Sequence, residues 1–452
     1  MAKISEIKHL FKRKIYSKML AWKEERNGET ALLIEGARRI GKSTIAEVFA
    51  ANEYKSYIAI DFGKVSDDTK NLFNSTEDLD FIFLTLQSKY NVDLVERKSV
   101  IIFDEIQLCP AARQAIKYLV EDGRYDYIET GSLITINQNR ANILVPSEET
   151  KISMFPLDFE EFLWATGYEQ SIRQIKYCYE KLRPMGDVMH REMMKTFRKY
   201  MLIGGMPKAV STYLDTNNLA RVDSVKREII ELYLQDLHKI DSTSKAARIF
   251  GSIPGELCKN KLRYELGSVL PNVEPGKITD IWQDLEDSMT VNFCYRCLDP
   301  NVGMQLHKDE NTFKLYMGDT GLFITLAFWD EDVSKNELYD KLLSDKLSAD
   351  LGYVYENAVA QALRALGKSL LYYTMPTDET RKKFYEVDFV ISSGLKITPI
   401  EVKSSGYRSH KSLDEFAKKF SSRINRPIIL YTKDLQTDNE FIYLPVYMTF
   451  LL

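Results

Sequence analysis

Eight consecutive residues, Gly36-Ala37-Arg38-Arg39-Ile40-Gly41-Lys42-Ser43, constrain this chain more than any other stretch. They fit the spacing G-x-x-x-x-G-K-[ST] in full. Two glycines let the backbone wrap until its N–H groups point inward at phosphate oxygens. Lys42 then places a cation on the β- and γ-phosphates, and the Ser43 hydroxyl can ligate Mg²⁺. The flanks agree with this reading. ALLIE (31–35) is an apolar strand entering the loop, and TIAEVFAA, opened by Thr44, is a helix whose positive N-terminal end faces the anion. A glycine turn capping a surface helix would not explain both flanks. Gly36 through Thr44 are therefore the expected nucleotide cradle, with Lys42 also catalytic and Ser43 also a metal ligand.

An ATP site of this kind needs an acidic residue at the end of a neighbouring apolar strand. SVIIFDE (99–105) supplies it. Asp104 is expected to meet Mg²⁺, directly or through water, and Glu105 to orient and deprotonate the attacking water. A third strand, DYIETGS (126–132), ends in small polar residues at the same sheet edge. Thr130 is the first choice for a group sensing the γ-phosphate and Ser132 the second, against an equal alternative of an N-capping turn. With SYIAIDF (56–62), these strands alternate with helical stretches, the rhythm of a parallel sheet with crossover helices.

The chain has 452 residues, enough for about three domains of ordinary size. Its 61 Lys+Arg against 65 Asp+Glu give a net charge of −4, which excludes a globally basic nucleic-acid binder but not a local basic face. No apolar run approaches the roughly 20 residues needed to cross a bilayer. The opening residues do not read as a secretory signal, and five scattered cysteines suit a reducing compartment, so a cytoplasmic protein is expected. Cys294 and Cys297 form a CxxC without a second pair, which fits apolar strand or turn positions better than zinc.

The nucleotide motifs resemble those of AAA-type P-loop ATPases. DEIQLCP (104–110), TGSL (130–133) and MFPLDFEEFLWATG (154–167) narrow the resemblance to a bacterial family that joins an AAA module to a C-terminal domain of unknown function. YMLIGGMPKAV (200–210), GSIPGEL (251–257) and FKLYMGDTGL (313–322) extend it over nearly the whole chain. The resemblance implies ATP and Mg²⁺ as ligands and further copies of the chain as neighbours. One departure stands out. Many relatives carry a Gly-Arg pair where this chain reads VPSEET (145–150), so the arginine finger is missing there. Arg124 and Arg140 are the candidate substitutes, and hydrolysis is expected to be slow or to depend on assembly or a partner. The resemblance also implies a winged helix in the middle region. Its candidate recognition helix carries Asp280, Asp284, Glu286 and Asp287 and no basic residue, which repels phosphates. Lys259, Lys261 and Arg263 offer a small basic patch before it. A protein contact is favoured there over base readout. Asp319, in the turn GDTG, is expected to cap the following helix.

Near the C-terminus, Asp388 lies in YEVDFVI, and Glu401 and Lys403 in PIEVKSS. Strand alternation puts Glu401 and Lys403 on one face. Two carboxylates can hold Mg²⁺ against a phosphate while a lysine stabilises the attacking hydroxide, and Glu356 on the preceding helix would complete the metal shell. This D…ExK pattern, in helix–strand–strand–strand–helix order, is similar to the PD-(D/E)XK nucleases and their restriction-endonuclease fold. Arg381, Lys382, Lys383, Lys396, Arg408 and Lys411 surround it. The expected architecture is α/β: a P-loop AAA-type ATPase domain (1–165), a helical region (166–240), a winged-helix-like domain (241–345) and a restriction-endonuclease-like domain (346–452). Two functions compete. One is an ATPase whose hydrolysis rearranges the domains, coupled to nucleic acid through the C-terminal domain. The other is a nucleotide-dependent protein-binding switch that cuts nothing.

Overall fold

Five short strands build the first sheet, and their burial explains why four of them are legible as apolar runs. A computed structural model describes residues 8–131, 147–330, 352–378, 380 and 383–452. It divides into two compact units, Met1–Phe155 with Asp287–Met289, and Pro156–Glu286 with Thr290–Leu452. In the first unit, β1 (Ala31–Glu35), β2 (Ser56–Asp61), β3 (Ser99–Asp104), β4 (Asp126–Gly131) and β5 (Glu149–Ser153) form one sheet in the order β2-β3-β4-β1-β5. Every pairing is parallel. Helices including Lys42–Glu53 and Pro110–Asp122 connect the strands, and β3 and β4 are buried along almost their whole length. A central parallel strand covered on both faces must read as a continuous apolar run. Phe62, Phe73 and Phe103 meet edge-on or tilted in this core, with ring centroids 5.4–5.9 Å apart. The edge strand β5 falls in a stretch where the sequence reading places no strand. Its sequence, ETKIS, is half-buried and polar, so no apolar run announces it.

The second unit begins with a helix, Phe159–Ala165, closed by a reciprocal capping box between Asp158 and Glu161. Longer helices follow, among them Asp187–Ile203, Pro207–Thr216 and Leu219–Ile240. Helices Lys245–Cys258, Leu266–Val269 and Thr279–Asp287 then precede an antiparallel pair, β6 (Val291–Cys297) and β7 (Lys308–Met317). Cys294 and Cys297 are buried free thiols on β6, as their apolar setting suggested. The regions read as 241–345 and 346–452 share a sheet. β6 runs parallel to β8 (Leu371–Pro376), which pairs with β9 (Phe384–Val387), giving the order β7-β6-β8-β9. A second sheet has the order β10-β11-β12-β14-β13, from β10 (Phe389–Ser393), β11 (Lys396–Lys403), β12 (Ile428–Tyr431), β13 (Gln436–Thr437) and β14 (Ile442–Pro445). Helix Gly352–Ala365 precedes these strands and Lys411–Lys419 follows β11; the sequence predicts three strands between these helices, and there are four because YEVDFVI divides into β9 and β10. A single residue, Asp388, separates β9 from β10 and carries the chain from one sheet to the other.

The glycines of YMLIGGMP and GDTG mark a close backbone crossing. Gly205 N–H donates to Asp319 Oδ2 at 2.5 Å, while Leu322 N–H donates to Asp319 Oδ1 at 2.9 Å, so Asp319 caps helix Thr320–Ala327 as expected. A Cβ atom on Gly205 would lie 2.1 Å from Leu157 O, and one on Gly321 would lie 2.6 Å from Gly204 Cα. Neither clash can be relieved by turning a side chain, because both neighbours are backbone. Gly205→Ala should therefore destabilise the second unit by about 3 kcal/mol, the upper end of what overpacking typically costs. Gly251→Ala, in an exposed helix interior with open space around it, should be neutral or stabilise by about 0.5–1 kcal/mol. Urea unfolding of the two variants checks the contrast, and equal midpoints would remove the crossing from this account.

Candidate functional site

Parallel strands end on one edge of their sheet, so the first unit gathers its polar strand ends there. Gly36 leaves β1 with φ +154°, and a Cβ on it would meet Met154 O at 2.4 Å. Only glycine lets the loop turn this close to the neighbouring chain. Gly41, at φ 96°, ends the loop, and helix Lys42–Glu53 begins directly behind it. Ala37 and Ile40 are buried, whereas Arg38 and Arg39 face solvent. Thr44 lies in the first turn of the helix. Arg13 braces the loop, donating to Ile40 O at 2.9 Å and Phe155 O at 2.6 Å. No motif singles out this residue, because its partners are backbone carbonyls.

The Lys42 ammonium is buried, and it donates to Gly36 O and Ala37 O, each at 2.9 Å. Burial draws its pKa down from 10.5 to about 8, against the pull of Glu105 and Asp104. Ser43 Oγ donates to Asp104 Oδ1 at 2.7 Å, which sets a hydroxyl and a carboxylate side by side, the donor pair that suits Mg²⁺. Thr130, buried at the end of β4, donates to the same Asp104 oxygen. Glu105 sits in the left-handed region at φ 53°, a conformation that costs a non-glycine residue energy and that clusters at functional sites. Its N–H reaches Thr130 Oγ1 at 3.4 Å, and Gln107 donates to its carboxylate. The structure thus brings Lys42, Ser43, Asp104, Glu105 and Thr130 together. Ser132 and Arg140 lie outside the described residues.

Arg124 is not available as a finger within this chain. It precedes β4 and so sits at the opposite, amino edge of the sheet. There it is held by Asp122 at 2.8 Å and Asp80 at 2.6 Å and stacks 4.7 Å over Phe83.

In the second unit the C-terminal residues converge, but as ion pairs. Lys403 Nζ meets Glu401 Oε1 at 2.7 Å, and Val402 N–H donates to Asp388 Oδ2 at 2.7 Å. Tyr316 OH donates to Glu356 Oε2 at 3.2 Å, and Lys314 Nζ lies 3.9 Å from the same oxygen and bonds Glu386. Burial, then Glu401 and Glu356, pushes the Asp388 carboxyl well above its ordinary range. Burial raises Glu401 too, with Lys403 opposing. Among the described residues, no group of three or more His, Cys, Asp or Glu is placed to hold a metal ion. Glu356, Asp388 and Glu401, the expected shell, are answered here by two lysines, a tyrosine hydroxyl and a backbone N–H. Lys314, Tyr316 and Glu386 were not foreseen, since the first two lie on β7, far from the D…ExK pattern. Arg381 and Lys382 fall outside the described residues. The patch of Lys259 and Lys261 is offset by Glu256 at 2.5 Å and Glu265 at 3.8 Å.

Comparison with known proteins finds three matching regions. Residues 28–163 match the family model of an AAA domain. Residues 194–333 match a domain of unknown function (DUF8612), and residues 351–448 another (DUF4143). No curated protein matches the chain. Among solved structures, the Walker-type ATPase PABY2304 of Pyrococcus abyssi is 15% identical over 70% of this chain and 96% of that one, with a TM-score of 0.43. The Thermotoga maritima RuvB Holliday junction branch migration motor is 12% identical over 62% and 89%, with a TM-score of 0.29. C. elegans PCH-2 is 13% identical over 48% and 66%, with a TM-score of 0.28. Likeness at this level carries no activity across.

The lowered pKa of Lys42 makes nucleotide binding a proton-coupled event. A polyphosphate favours the ammonium and returns its pKa toward 10.5, so binding takes up a proton wherever the free chain has lost it. Uptake should rise from about pH 7.5 and approach one proton per ATP near about pH 9. Calorimetry in buffers of different ionisation enthalpy reads this directly, and a flat profile would contradict the buried-ammonium account.

Proposed function

We propose that this chain, which carries an AAA-type P-loop ATPase domain followed by domains of unknown function, hydrolyses ATP with Mg²⁺ and acts as a nucleotide-driven switch on a protein partner. The observation that carries the reading is the buried Lys42 ammonium, held by loop carbonyls beside the Ser43–Asp104 pair. A buried cation with carbonyl partners only is suited to a polyanion. Ser43 and Asp104 are the residues that would hold Mg²⁺, which when bound draws charge off the phosphates. Lys42 meets the charge that develops between the β- and γ-phosphates. Glu105 takes a proton from the attacking water as the water oxygen bonds the γ-phosphorus and the bridge to the β-phosphate breaks, releasing ADP. Thr130 holds Asp104 in line. A second copy of the chain would be the source of the missing arginine.

The protein partner is favoured by the middle region. Beside helix Thr279–Asp287 opens a cavity of about 610 Å³, walled by Tyr264, Trp282, Phe293, Tyr295 and Phe313 and bordered by charges of both signs, Glu265, Glu286 and Glu310 with Arg263 and Lys308. Aromatic walls with a border of mixed charge suit a peptide better than a uniformly negative phosphate backbone. A second reading, coupling to nucleic acid through a nuclease-like C-terminal domain, draws on exposed Lys383, Lys396, Arg408 and Lys411.

Lys42→Ala should abolish or severely weaken ATP binding in a calorimetric titration. Glu105→Gln should keep binding but lower phosphate release by about a hundredfold or more, the usual worth of a general base. Turnover by Glu105→Gln at the normal rate would show that another group activates water. The partner question is decided by salt. Phosphate contacts predict affinity for DNA or RNA falling steeply between about 50 and 200 mM salt, whereas a protein switch predicts no binding even at the low end.

A further inference from the structure

The carboxylate cluster of the second unit has an occupant supplied by the chain itself. Four acidic side chains contribute to it: Glu356 from helix Gly352–Ala365, Glu386 from β9, Asp388 from the corner between sheets and Glu401 from β11. Lys314 and Tyr316 enter from β7, two residues apart and therefore on one face of the strand. Lys314 is only 7% exposed, and its ammonium bonds Glu386, lies 3.9 Å from Glu356 and sits 5.6 Å over the Tyr372 ring. It therefore occupies the interior of the cluster, while Lys403 covers Glu401 from a more exposed position, with 26% of its side chain open. One acceptor is left over. Glu401 is only 5% exposed, and its Oε2 has no hydrogen-bond partner among the described residues.

We infer that Lys314 is the resident cation of this cluster, an internal ammonium standing where nuclease-like sites of this strand order are expected to hold a divalent metal. The inference concerns the second unit alone and stands apart from the ATPase reading. Three features support it. A divalent ion such as Mg²⁺ requires near-octahedral oxygen ligands at about 2.0–2.1 Å, and the described carboxylates form no such group. Each carboxylate is turned to another donor: Glu386 and Glu356 to Lys314, Glu356 also to Tyr316, Glu401 to Lys403 and Asp388 to the Val402 N–H. The ammonium is a compact point charge on a flexible stem and fits where several carboxylate oxygens converge from different strands. Glu386, Glu356 and the Tyr372 ring face the ammonium, so its charge is met from several sides. The cluster then works as an electrostatic tie between β7 and the strands that follow, and Glu401 Oε2 marks the place a metal could claim once Lys314 is removed.

The test is Mn²⁺ binding to the full chain without nucleotide, read from the electron paramagnetic resonance signal of free Mn²⁺. Wild type and Glu401→Gln should take up the same amount. Lys314→Met, which keeps the stem and removes the charge, should take up one more Mn²⁺ per chain, and adding Glu401→Gln to it should abolish the gain. The inference is overturned if Glu401→Gln costs the wild type one Mn²⁺, because the cluster then holds metal with Lys314 in place. It is equally overturned if Lys314→Met, folded by circular dichroism, gains none. Should Lys314→Met fail to fold, the comparison of wild type with Glu401→Gln decides alone: equal uptake supports the resident ammonium, and a loss refutes it.

Discussion

Burying an ammonium obliges a protein to bring oxygen atoms to it, and the chain accepts that obligation at three places. Among the described residues, Lys42, Lys226 and Lys314 are the buried lysines. An isolated charge in an apolar interior is too costly to persist, so each one dictates the path of the backbone or the placement of acids around it. Lys42 gathers the carbonyls of Gly36 and Ala37 and thereby shapes the phosphate loop. Lys226 donates to Leu202 O at 2.7 Å and Gly321 O at 3.3 Å, with Asp223 at 3.8 Å, and so ties the two segments that meet at the glycine crossing. Lys314 gathers carboxylates from β9 and from helix Gly352–Ala365. The three solutions differ in one respect that matters for function. Carbonyls neutralise nothing, so the Lys42 ammonium is left for a ligand to match, whereas the charge of Lys314 is already matched.

The sites differ in the same way in how strongly they depend on partners outside the chain. Asp104 receives both Ser43 and Thr130, a small network that positions a carboxylate but leaves the adjoining cation without a counter-anion among its hydrogen-bond partners. One face of β4 carries Thr130 to this network. The residue before it, Glu129, is fully buried on the other face, where Arg113 bridges toward it at 3.6 Å and binds Glu149 of β5 at 2.8 Å. Burial and the nearby Glu149 raise the Glu129 pKa to about 8, with Arg113 opposing. The strand that positions Thr130 is thus anchored from behind by a charge cluster.

Much of the first unit was legible because each strand and loop there is a local object. The four apolar strands, the glycines, Lys42, Ser43, Asp104 and Glu105 all lie in short contiguous motifs, and the sheet had only to place their ends on one edge. β5 was not legible, because an edge strand with half-buried Glu, Thr and Ser carries no apolar run. In the second unit the order of helices and strands was readable, and so was the cap at Asp319. The partners of the carboxylates were not. Lys314 and Glu386 are 72 residues apart, and nothing in FKLYMGDTGL distinguishes a lysine that will be buried from one that will stay in water. Gly205 and Gly321 likewise read as turn residues, although their small size serves a contact between segments distant in sequence.

Asp388 has one further consequence. It is the only residue between β9 and β10, and those strands belong to different sheets. Consecutive Cα atoms are about 3.8 Å apart, so the chain has no slack at this point with which to absorb a relative shift of the sheets. Any shear of one sheet against the other must be taken up in the torsions of Asp388 itself. Its carboxylate is pinned to the Val402 N–H, so such a shear loads a hydrogen bond on β11 rather than dissipating in a loop. A corner of this kind couples the placement of the two sheets to the torsions of one residue within the carboxylate cluster.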